Sequence, residues 1–429
     1  MYENLIGQEE AAGALRNDLE RGWLPPSILL SGPENSGKLT AALETARALS
    51  CAMGPAAWNC PCPGCVRHRT LSHPDLLLMG PRSVHSEIKA AGELLGRNPN
   101  NAARYLFLRA VRKLSRRFDP ALYEGEESRL SKVAPLLQSL EELAEAAGPG
   151  TDESRGQATE ATEAAAKALS LADRLESLLP DSIPIFQVRA TERWARLAPY
   201  GRTKVAVLEN AERMQDGARN SLLKILEEPP DTASFILLSS RPSSILPTIL
   251  SRVRPYALRA RDAESSREVL AKVFRVLPAE AGLSLDDFLA ARKPLSPAQM
   301  DEFALRYLAA VCYQASRDGI FIPEALLDLS SDARDQSVSE VLQRLTEATK
   351  NFGQADGMYS YAFSAFMRSL YRRIGVQARS ADAKSADVLA GWCGSIREAQ
   401  LRYDSYNLPP AALAERLAED FAGSLQRSR

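Results

Sequence analysis

Residues 27–49 read SILLSGPENSGKLTAALETARAL, and this stretch decides the fold of the region around it. An apolar run, Ser27 to Ser31, predicts a short buried strand that leads directly into a glycine-bounded loop, Gly32 to Lys38. Apolar residues then recur with helical spacing, at Leu39, Ala42, Leu43, Ala46 and Leu49. The order of strand, glycine-rich loop and helix predicts an α/β fold with a phosphate-binding turn.

The loop supplies the groups that a phosphate-binding turn needs. It matches the first seven positions of the eight-residue pattern G-x-x-x-x-G-K-[ST]. Glycines let the backbone fold around phosphate oxygens, the start of the helix directs N–H groups inward, and the lysine adds a positive charge. The predicted nucleotide site comprises Gly32, Pro33, Glu34, Asn35, Ser36, Gly37 and Lys38. The alternative is a glycine-rich turn with a stray lysine.

The eighth position of the pattern differs, which puts magnesium binding in doubt. Leu39 stands where a Ser or Thr hydroxyl would hold Mg²⁺. Thr40 follows, but it lies about 100° further around the helix and is not a simple substitute.

A second apolar run, Lys204 to Leu208, ends in Glu209 and Asn210. In ATPases that carry this kind of phosphate loop, the corresponding strand delivers an aspartate to Mg²⁺ and then a glutamate that activates the attacking water. Glu209 keeps a carboxylate on a longer stem and can reach a metal through water, so we count it among the predicted cofactor-binding residues. Asn210 carries an amide and cannot accept a proton as a base. The alternative is an apolar strand that merely ends in polar residues.

The remaining pattern predicts a parallel sheet interrupted by a helical insertion. Further strands are expected at 75–79 and 234–239. The long interval before 204 predicts an insertion over about residues 86–182, folded as a helical hairpin whose loose tip lies at 148–163. Its apolar stripes are Leu130, Val133, Leu137, Leu140 and Leu143, then Leu169, Ala172, Leu175 and Leu179. After about residue 262 we expect helices, for example at 301–316, 338–352 and 411–424.

The composition is that of an ordinary globular chain, with 429 residues, 45% hydrophobic and 25% charged residues, and a net charge of −1. This length allows two or three domains. A net charge this close to zero does not favour a nucleic-acid or membrane partner, although a nearly neutral chain can still carry local basic patches. The sequence shows no secretory start and no apolar run of membrane-spanning length, so we expect a cytoplasmic protein with no membrane partner.

One local basic patch lies inside the insertion. It comprises Arg104, Arg109, Arg112, Lys113, Arg116 and Arg117. Basic residues at helical spacing can contact a phosphate backbone. The alternative is a solvated face that nearby acidic residues balance.

Four of the six cysteines crowd between Cys51 and Cys65. In a reducing compartment such crowding indicates a metal site and not a disulfide framework. Four thiolates suit a tetrahedral structural zinc ion, and the predicted ligands are Cys51, Cys60, Cys62 and Cys65. His68 can replace one thiolate. Unrelated free thiols are the alternative.

Several stretches together resemble the bacterial DNA polymerase III clamp-loader subunits, delta prime and gamma/tau. They are Gly32 to Lys38, Lys204 to Met214, Asn220 to Pro230 and Thr248 to Arg252, with Leu5 to Gln8 and His73 to Asp75 in support. The resemblance covers about residues 1–85 and 183–260 and excludes the insertion. The family carries a zinc module after the phosphate-loop helix, here at about residues 51–68. Its spacing is C-x2-C-x2-C, whereas a single residue separates Cys60 from Cys62.

The resemblance implies an architecture of three domains. We expect a P-loop AAA+ domain with a parallel sheet over residues 1–260, a small helical lid domain over 261–297, and a C-terminal helical collar domain over 298–429. Such subunits form one arm of a five-membered ring that places a sliding clamp on primed DNA. The implied partners are gamma/tau and delta subunits, the sliding clamp, and primer-template DNA through the complex.

The resemblance also implies a role for Arg252. It matches the arginine of the family's Ser-Arg-Cys motif, which acts as an arginine finger on the ATP of a neighbouring subunit. An altered nucleotide motif beside an intact finger fits the delta prime type better than gamma/tau. We therefore expect a subunit of the DNA polymerase III holoenzyme without ATPase activity of its own, with structural zinc and with ATP or ADP as possible ligands. The alternatives are an active gamma/tau-type motor ATPase and another AAA+ DNA remodeller such as a Holliday-junction motor.

Overall fold

The computed structural model divides the chain into two compact units, Met1–Leu289 and Ala290–Arg429. The structure describes residues 1–54, 56–81, 83–149, 155–176, 178–180, 182–276, 282–293, 295–324, 326–327, 337–349, 360–379, 381–406 and 408–427. The boundaries predicted for the AAA+, lid and collar domains stay a prediction.

The first unit is built on a five-stranded sheet. Its strands are β1 (Ser27–Ser31), β2 (Leu76–Met79), β3 (Lys204–Leu208), β4 (Ala233–Ser239) and β5 (Arg254–Ala257). They lie in the order β2-β3-β4-β1-β5, and each neighbouring pair is parallel. The four strands predicted from the sequence are confirmed to within one residue at each end. Because the strands are parallel, the segments that follow β1, β3 and β4 leave the sheet at the same edge.

Helices cover both faces of the sheet, as its continuous apolar strands require. The helices up to residue 290 are α1 (Glu9–Glu20), α2 (Lys38–Ser50), α3 (Pro63–Arg69), α4 (His85–Arg97), α5 (Asn101–Ser115), α6 (Glu127–Ala146), α7 (Arg155–Glu176), α8 (Ile185–Arg196), α9 (Asp216–Glu227), α10 (Pro247–Leu250), α11 (Ala263–Val269) and α12 (Leu285–Ala290). Ile28 and Leu30 of β1 face a core shared with α1 and α2. Leu29, between them, faces a larger core that includes the insertion.

The insertion is helical, as predicted, but its described residues form four helices, α4 to α7, and not a single hairpin, and it belongs to the first unit. Helices α4 to α7 pack on one another, and Phe107 and Val111 of α5 lie in one core with Leu77 of β2. One part of the prediction is wrong: α7 begins at Arg155, so residues 155–163 of the expected loose tip are helical. Alanines at 161, 164 and 165 are buried there, which shows that small side chains suffice for this packing. Residues 150–154 of that stretch lie outside the described residues.

The end of the first unit carries a small apolar cluster of its own. It is formed by α11, a π turn at Leu270–Phe274 and the start of α12, with Phe274 and Phe288 in contact at a centroid distance of 5.2 Å. Ala90 of α4 is buried in the same cluster.

The second unit is a helical bundle. Its described helices are α13 (Pro297–Arg317), α14 (Val338–Thr349), α15 (Ser360–Gln377), α16 (Ala383–Tyr406) and α17 (Pro410–Arg427). Trp392 of α16 stacks on Phe421 of α17 at 4.5 Å and donates its ring N–H to the Phe421 carbonyl. Tyr307 of α13 donates to the Ala414 carbonyl at 2.6 Å. The predicted helices at 301–316 and 411–424 are confirmed, and so is 338–349, whereas 350–352 lie outside the described residues.

Candidate nucleotide site and cysteine cluster

The predicted phosphate loop lies between β1 and α2, where its two glycines are sterically required. Gly32 has φ of 155° and Gly37 has φ of 103°, a region that side chains rarely allow. A Cβ atom on Gly32 would lie 2.5 Å from the Leu258 carbonyl oxygen. A Cβ atom on Gly37 would lie 2.9 Å from an Arg261 nitrogen. The backbone therefore adopts a turn that only these residues permit.

The polar groups of the loop suit an anion. Lys38 Nζ donates to the carbonyls of Gly32 at 2.6 Å and Pro33 at 2.5 Å, and it lies 3.2 Å from Ser240 Oγ after β4. Within the described part of the chain, Ser36 Oγ is buried without a hydrogen-bond partner. A buried hydroxyl without a partner costs free energy, and a phosphate oxygen would satisfy it. The residues present fit a nucleotide phosphate.

The outer side of the loop is anchored by a residue that the sequence analysis missed. Arg261 donates through Nε to the Asn35 carbonyl at 2.9 Å and also donates to the Ile6 carbonyl. Burial lowers the pKa of Arg261. Asn35, with φ of 55°, donates its amide to Asp286 at 2.6 Å, whereas Glu34 and Pro33 are exposed. No sequence pattern signalled Arg261, because its partners are backbone carbonyls more than 200 residues away.

The structure places Leu39 in the apolar core and not at the loop. Its side chain is buried among residues of α1, α2 and the adjoining face of the sheet. The eighth position of the pattern thus offers neither an oxygen ligand nor an open path to one. Mg²⁺ prefers oxygen ligands in a near-octahedral shell, and this position contributes none.

The carboxylate after β3 is already paired. Glu209 Oε1 accepts a hydrogen bond of 2.5 Å from Arg117 Nη2, and the two side chains are only 2% and 1% exposed. Arg117 belongs to a short 3-10 turn, Arg116–Phe118, that follows α5 in the insertion. Asn210 has φ of 52°, in the left-handed region that asparagine tolerates well. With Leu39 in the core and Glu209 paired, these residues do not fit a magnesium shell.

A second carboxylate near the loop was missed by the sequence analysis. Glu212 Oε1 accepts a hydrogen bond of 3.3 Å from the backbone N–H of Ser240, the residue that also contacts Lys38. Glu212 is 5% exposed, and its Oε2 is buried with no hydrogen-bond partner among the groups that the structure describes. Its position three residues after Glu209 was the available signal, because a turn after β3 can direct either side chain to the sheet edge.

Arg252 lies at the surface of the first unit, just after α10. It is 33% exposed and pairs with Glu227 at the end of α9, at 2.6 Å, while another nitrogen donates to the Thr248 carbonyl. An ion pair at this exposure is weak and easily exchanged for another anion.

The four predicted zinc ligands come together despite their shifted spacing. The Sγ atoms of Cys51, Cys60, Cys62 and Cys65 all lie within 4.8 Å of one another, and all four residues are buried. Cys62 precedes α3 and accepts a hydrogen bond from the Cys65 N–H. Burial opposes the Cys62 thiolate, but hydrogen bonds from the backbone N–H groups of Cys65 and Ala52 and from the Cys65 and Cys60 thiols together lower the pKa of Cys62 to about 6. Thiolates at this separation suit one tetrahedral ion with Zn–S bonds of about 2.3 Å.

His68 is not among these clustered ligands. Its Nε2 lies 2.8 Å from Ser50 Oγ, and its ring stacks on His73 at 4.2 Å. Burial and then the neighbouring His73 lower the pKa of His68 well below its ordinary value. The four cysteines form the cluster without it.

Two arginines, Arg47 and Arg69, form hydrogen bonds with the segment that carries the four cysteines, residues 51–65. Arg47 of α2 lies 3.7 Å from Cys65 Sγ and donates to the Ala57 carbonyl and to Glu44. Arg69 donates to the carbonyls of Trp58 and Cys60.

The basic patch of the insertion is engaged inside the chain. Arg109, Arg112 and Arg116 donate to carbonyls between residues 68 and 73, after or near the end of α3. Helix ends leave carbonyls without partners, and cations there are favourable. Arg112 also pairs with Glu141 and Glu145. The remaining members are held as well: Arg104 by the Pro99 carbonyl, Lys113 by Glu87 and Arg117 by Glu209. This arrangement argues against a DNA contact, and it also differs from the predicted solvated face, because Arg104 and Arg117 are buried and most partners are backbone carbonyls.

Among the residues that the structure describes, no helix is long and apolar enough to span a membrane.

The sequence model of a protein family described as DNA polymerase III, delta subunit, matches residues 7–130 and 136–262, which is more than half of the chain. This match includes most of residues 86–182, so the expectation that the resemblance excludes the insertion is wrong. The chain is also similar to three curated proteins. DNA polymerase III subunit delta' of Pseudomonas aeruginosa is 44% identical over 93 residues, 22% of this chain and 27% of that protein. DNA polymerase III subunit gamma/tau of Mycobacterium bovis is 24% identical over 288 residues, which are 67% of this chain and 32% of that protein. DNA polymerase III subunit tau of Bacillus subtilis is 25% identical over 164 residues, which are 38% of this chain and 26% of that protein. The chain spans less than a third of the length of each relative.

Proposed function

The chain belongs to the DNA polymerase III delta-subunit family of AAA+ clamp-loader subunits, and from this premise we propose that it acts as a delta prime-type subunit. In this role it holds a nucleotide without hydrolysing it and donates Arg252 to the ATP site of a neighbour. The observation that carries the proposal is that the two residues after β3, Glu209 and Asn210, lack the groups that hydrolysis needs in a usable form. Glu209 is buried against Arg117, and Asn210 offers an amide where hydrolysis requires a base.

The proposed partners follow from the same role. The chain assembles with gamma/tau and delta subunits, and the complex places a sliding clamp on primer-template DNA. The AAA+ domain at 1–260 and the lid at 261–297 form the nucleotide-binding arm, and the collar at 298–429 holds the ring together. The helical bundle of the second unit supports this last assignment.

Arg252 acts in trans as an arginine finger. Its guanidinium stabilises charge that develops on the transferring phosphoryl group of the neighbour's ATP. The weak, part-exposed pair with Glu227 supports this role, because ATP carries more negative charge than one carboxylate and can displace it. A buried arginine would have to leave its partner at a much larger cost.

The test is ATP hydrolysis by the reconstituted complex with Arg252→Ala. We expect turnover at the one affected interface to fall by roughly 1,000-fold or more, with assembly unchanged by size-exclusion chromatography. Arg259→Ala is the matched control, because Arg259 is an exposed arginine paired with Glu10 in the same unit. Equal ATPase activity of the two variants would contradict the finger.

Zinc is the proposed occupant of the cysteine cluster. Four buried thiols that converge within 4.8 Å support it, and the ion would fix a loop that has few apolar residues of its own. Metal analysis of untagged protein should give one zinc per chain, and Cys62→Ser/Cys65→Ser should lose it. Cys393→Ser, outside the cluster, is the control. Absence of zinc from the parent protein would overturn the assignment.

A second candidate function is an active gamma/tau-type motor, and Glu212 is the observation that favours it. Its unpartnered buried oxygen lies in a chain of contacts that leads through Ser240 to Lys38, so it is the available carboxylate for a general base. If the purified chain hydrolyses ATP and Glu212→Gln abolishes the activity, this second function replaces the first.

A further inference from the structure

The pair between Arg117 and Glu209 joins two parts of the chain that are 92 residues apart. Glu209 continues β3, and its backbone N–H donates to the Met79 carbonyl of β2. Arg117 comes from the insertion, where its other terminal nitrogen donates to the Lys113 carbonyl at 2.5 Å. The guanidinium is thus oriented from both sides. The insertion delivers a fixed positive charge to the carboxylate after β3.

The surrounding packing fixes the pair in place. Phe118, next to Arg117, is buried in the same core as Met79 and Leu208. Gly80 follows β2, and a Cβ atom there would lie 2.3 Å from the Glu209 carbonyl oxygen, so the two chain segments are in close contact. Neither charged side chain can reach water without moving this packing, since both are at most 2% exposed.

A buried carboxylate of this kind does not accept a second cation readily. Charges separated by a few ångströms interact strongly where water is excluded, so a divalent ion at Glu209 would be repelled by Arg117. Displacing Arg117 would leave its own charge buried without the carboxylate. The nearby loop position that would add a hydroxyl ligand is Leu39, which lies in the core.

We propose that Arg117 is a built-in counter-ion that supplies, at Glu209, the positive charge that Mg²⁺ supplies in hydrolysing members of this ATPase class. The phosphate loop then binds nucleotide with an affinity that does not depend on a divalent cation. The insertion acquires a role as the element that excludes the metal from Glu209. The nucleotide part of this inference rests on the proposed function of the loop, whereas exclusion of the metal from Glu209 does not.

The first experiment measures binding of fluorescent ATP by the purified chain, once with Mg²⁺ and once with EDTA. We expect the two dissociation constants to agree within about twofold, whereas a metal-requiring site would differ by tenfold or more. In Arg117→Gln we expect Mg²⁺ to tighten binding, because Glu209 then lacks its counter-ion. Arg129→Gln is the matched control, since Arg129 is an exposed arginine of the insertion paired with Glu126.

The second experiment is independent of whether Arg117→Gln folds and of whether nucleotide binds. Electron paramagnetic resonance of Mn²⁺, with and without ATP, reports ions retained by the protein. We expect the parent chain and Glu209→Gln to retain equal amounts. Stoichiometric retention by the parent that is lost in Glu209→Gln would overturn the proposal. If fluorescent ATP does not bind at all, the nucleotide role of the loop fails, while the Mn²⁺ result still decides whether Glu209 is closed to the metal.

Discussion

The phosphate loop and the end of β3 lie at the same edge of the sheet, yet they differ in what they can still do. In the loop, the glycine turn is intact, Lys38 rests on backbone carbonyls, and the buried Ser36 hydroxyl lacks a partner. After β3, the Glu209 carboxylate is held in a buried ion pair. The polar groups of the loop can rotate toward an incoming phosphate, whereas the Glu209 carboxylate is already paired with the guanidinium of Arg117. The comparison teaches that the groups suited to a phosphate and the groups that hydrolysis would require are positioned independently within one fold.

The comparison is tested most strongly by removing the cation. Arg117→Met should destabilise the chain by about 3 to 5 kcal/mol, because it leaves a buried carboxylate without its counter-ion. Urea unfolding of the full chain measures this loss. Arg117→Met/Glu209→Leu should recover most of it, since an apolar pair replaces a buried ion pair at little cost.

The control for this loss is Arg129→Gln, which should change the free energy of unfolding by no more than about 0.5 kcal/mol. A loss below about 1 kcal/mol in Arg117→Met would show that Glu209 is not the buried, paired group described above.

A smaller effect is expected from Leu39→Thr, which completes the loop pattern. The exchange removes apolar volume from a core and buries a hydroxyl, so it should cost about 2 to 4 kcal/mol of stability. Leu197→Thr, at a side chain 62% exposed, is the control. Nucleotide affinity should stay independent of Mg²⁺, because Glu209 remains paired. A gain of Mg²⁺ dependence in Leu39→Thr would show that the loop alone determined metal binding.

The smallest effect is expected from Asn210→Glu, which restores a carboxylate at the position of the base. The left-handed φ of 52° disfavours glutamate, so the change should cost about 1 kcal/mol. Asn210→Asp should cost less, because a short side chain tolerates this conformation. Neither variant should hydrolyse ATP. Measurable ATP hydrolysis by either variant would mean that the general base is the only group missing from the site after β3.

The sequence predicted the parts of the fold that depend on neighbouring residues. Apolar runs predicted four strands, glycine spacing predicted the phosphate loop, and the crowding of cysteines predicted a cluster that the structure brings together. β5 was missed because it is an edge strand with Pro255 inside it and only Tyr256 buried, so it lacks an apolar run.

The parts that could not be predicted depend on contacts between distant segments. Nothing near Arg117 in the sequence indicates that its partner is Glu209, and the basic residues around it are typical of a solvated face or, less often, of a DNA contact. The start of α7 was missed because its alanines pack without large apolar side chains. Arg261 contacts backbone carbonyls of distant segments, and such contacts leave no pattern in the sequence, whereas for Glu212 the only signal was its place three residues after Glu209.

The most direct test of a subunit that holds nucleotide without hydrolysing it is the ATPase rate of the purified chain beside that of Lys38→Ala. We predict that the two rates are indistinguishable, because in both chains Glu209 is paired with Arg117 and Asn210 cannot accept a proton as a base. Turnover of about 1 per second or faster that disappears in Lys38→Ala would contradict the account.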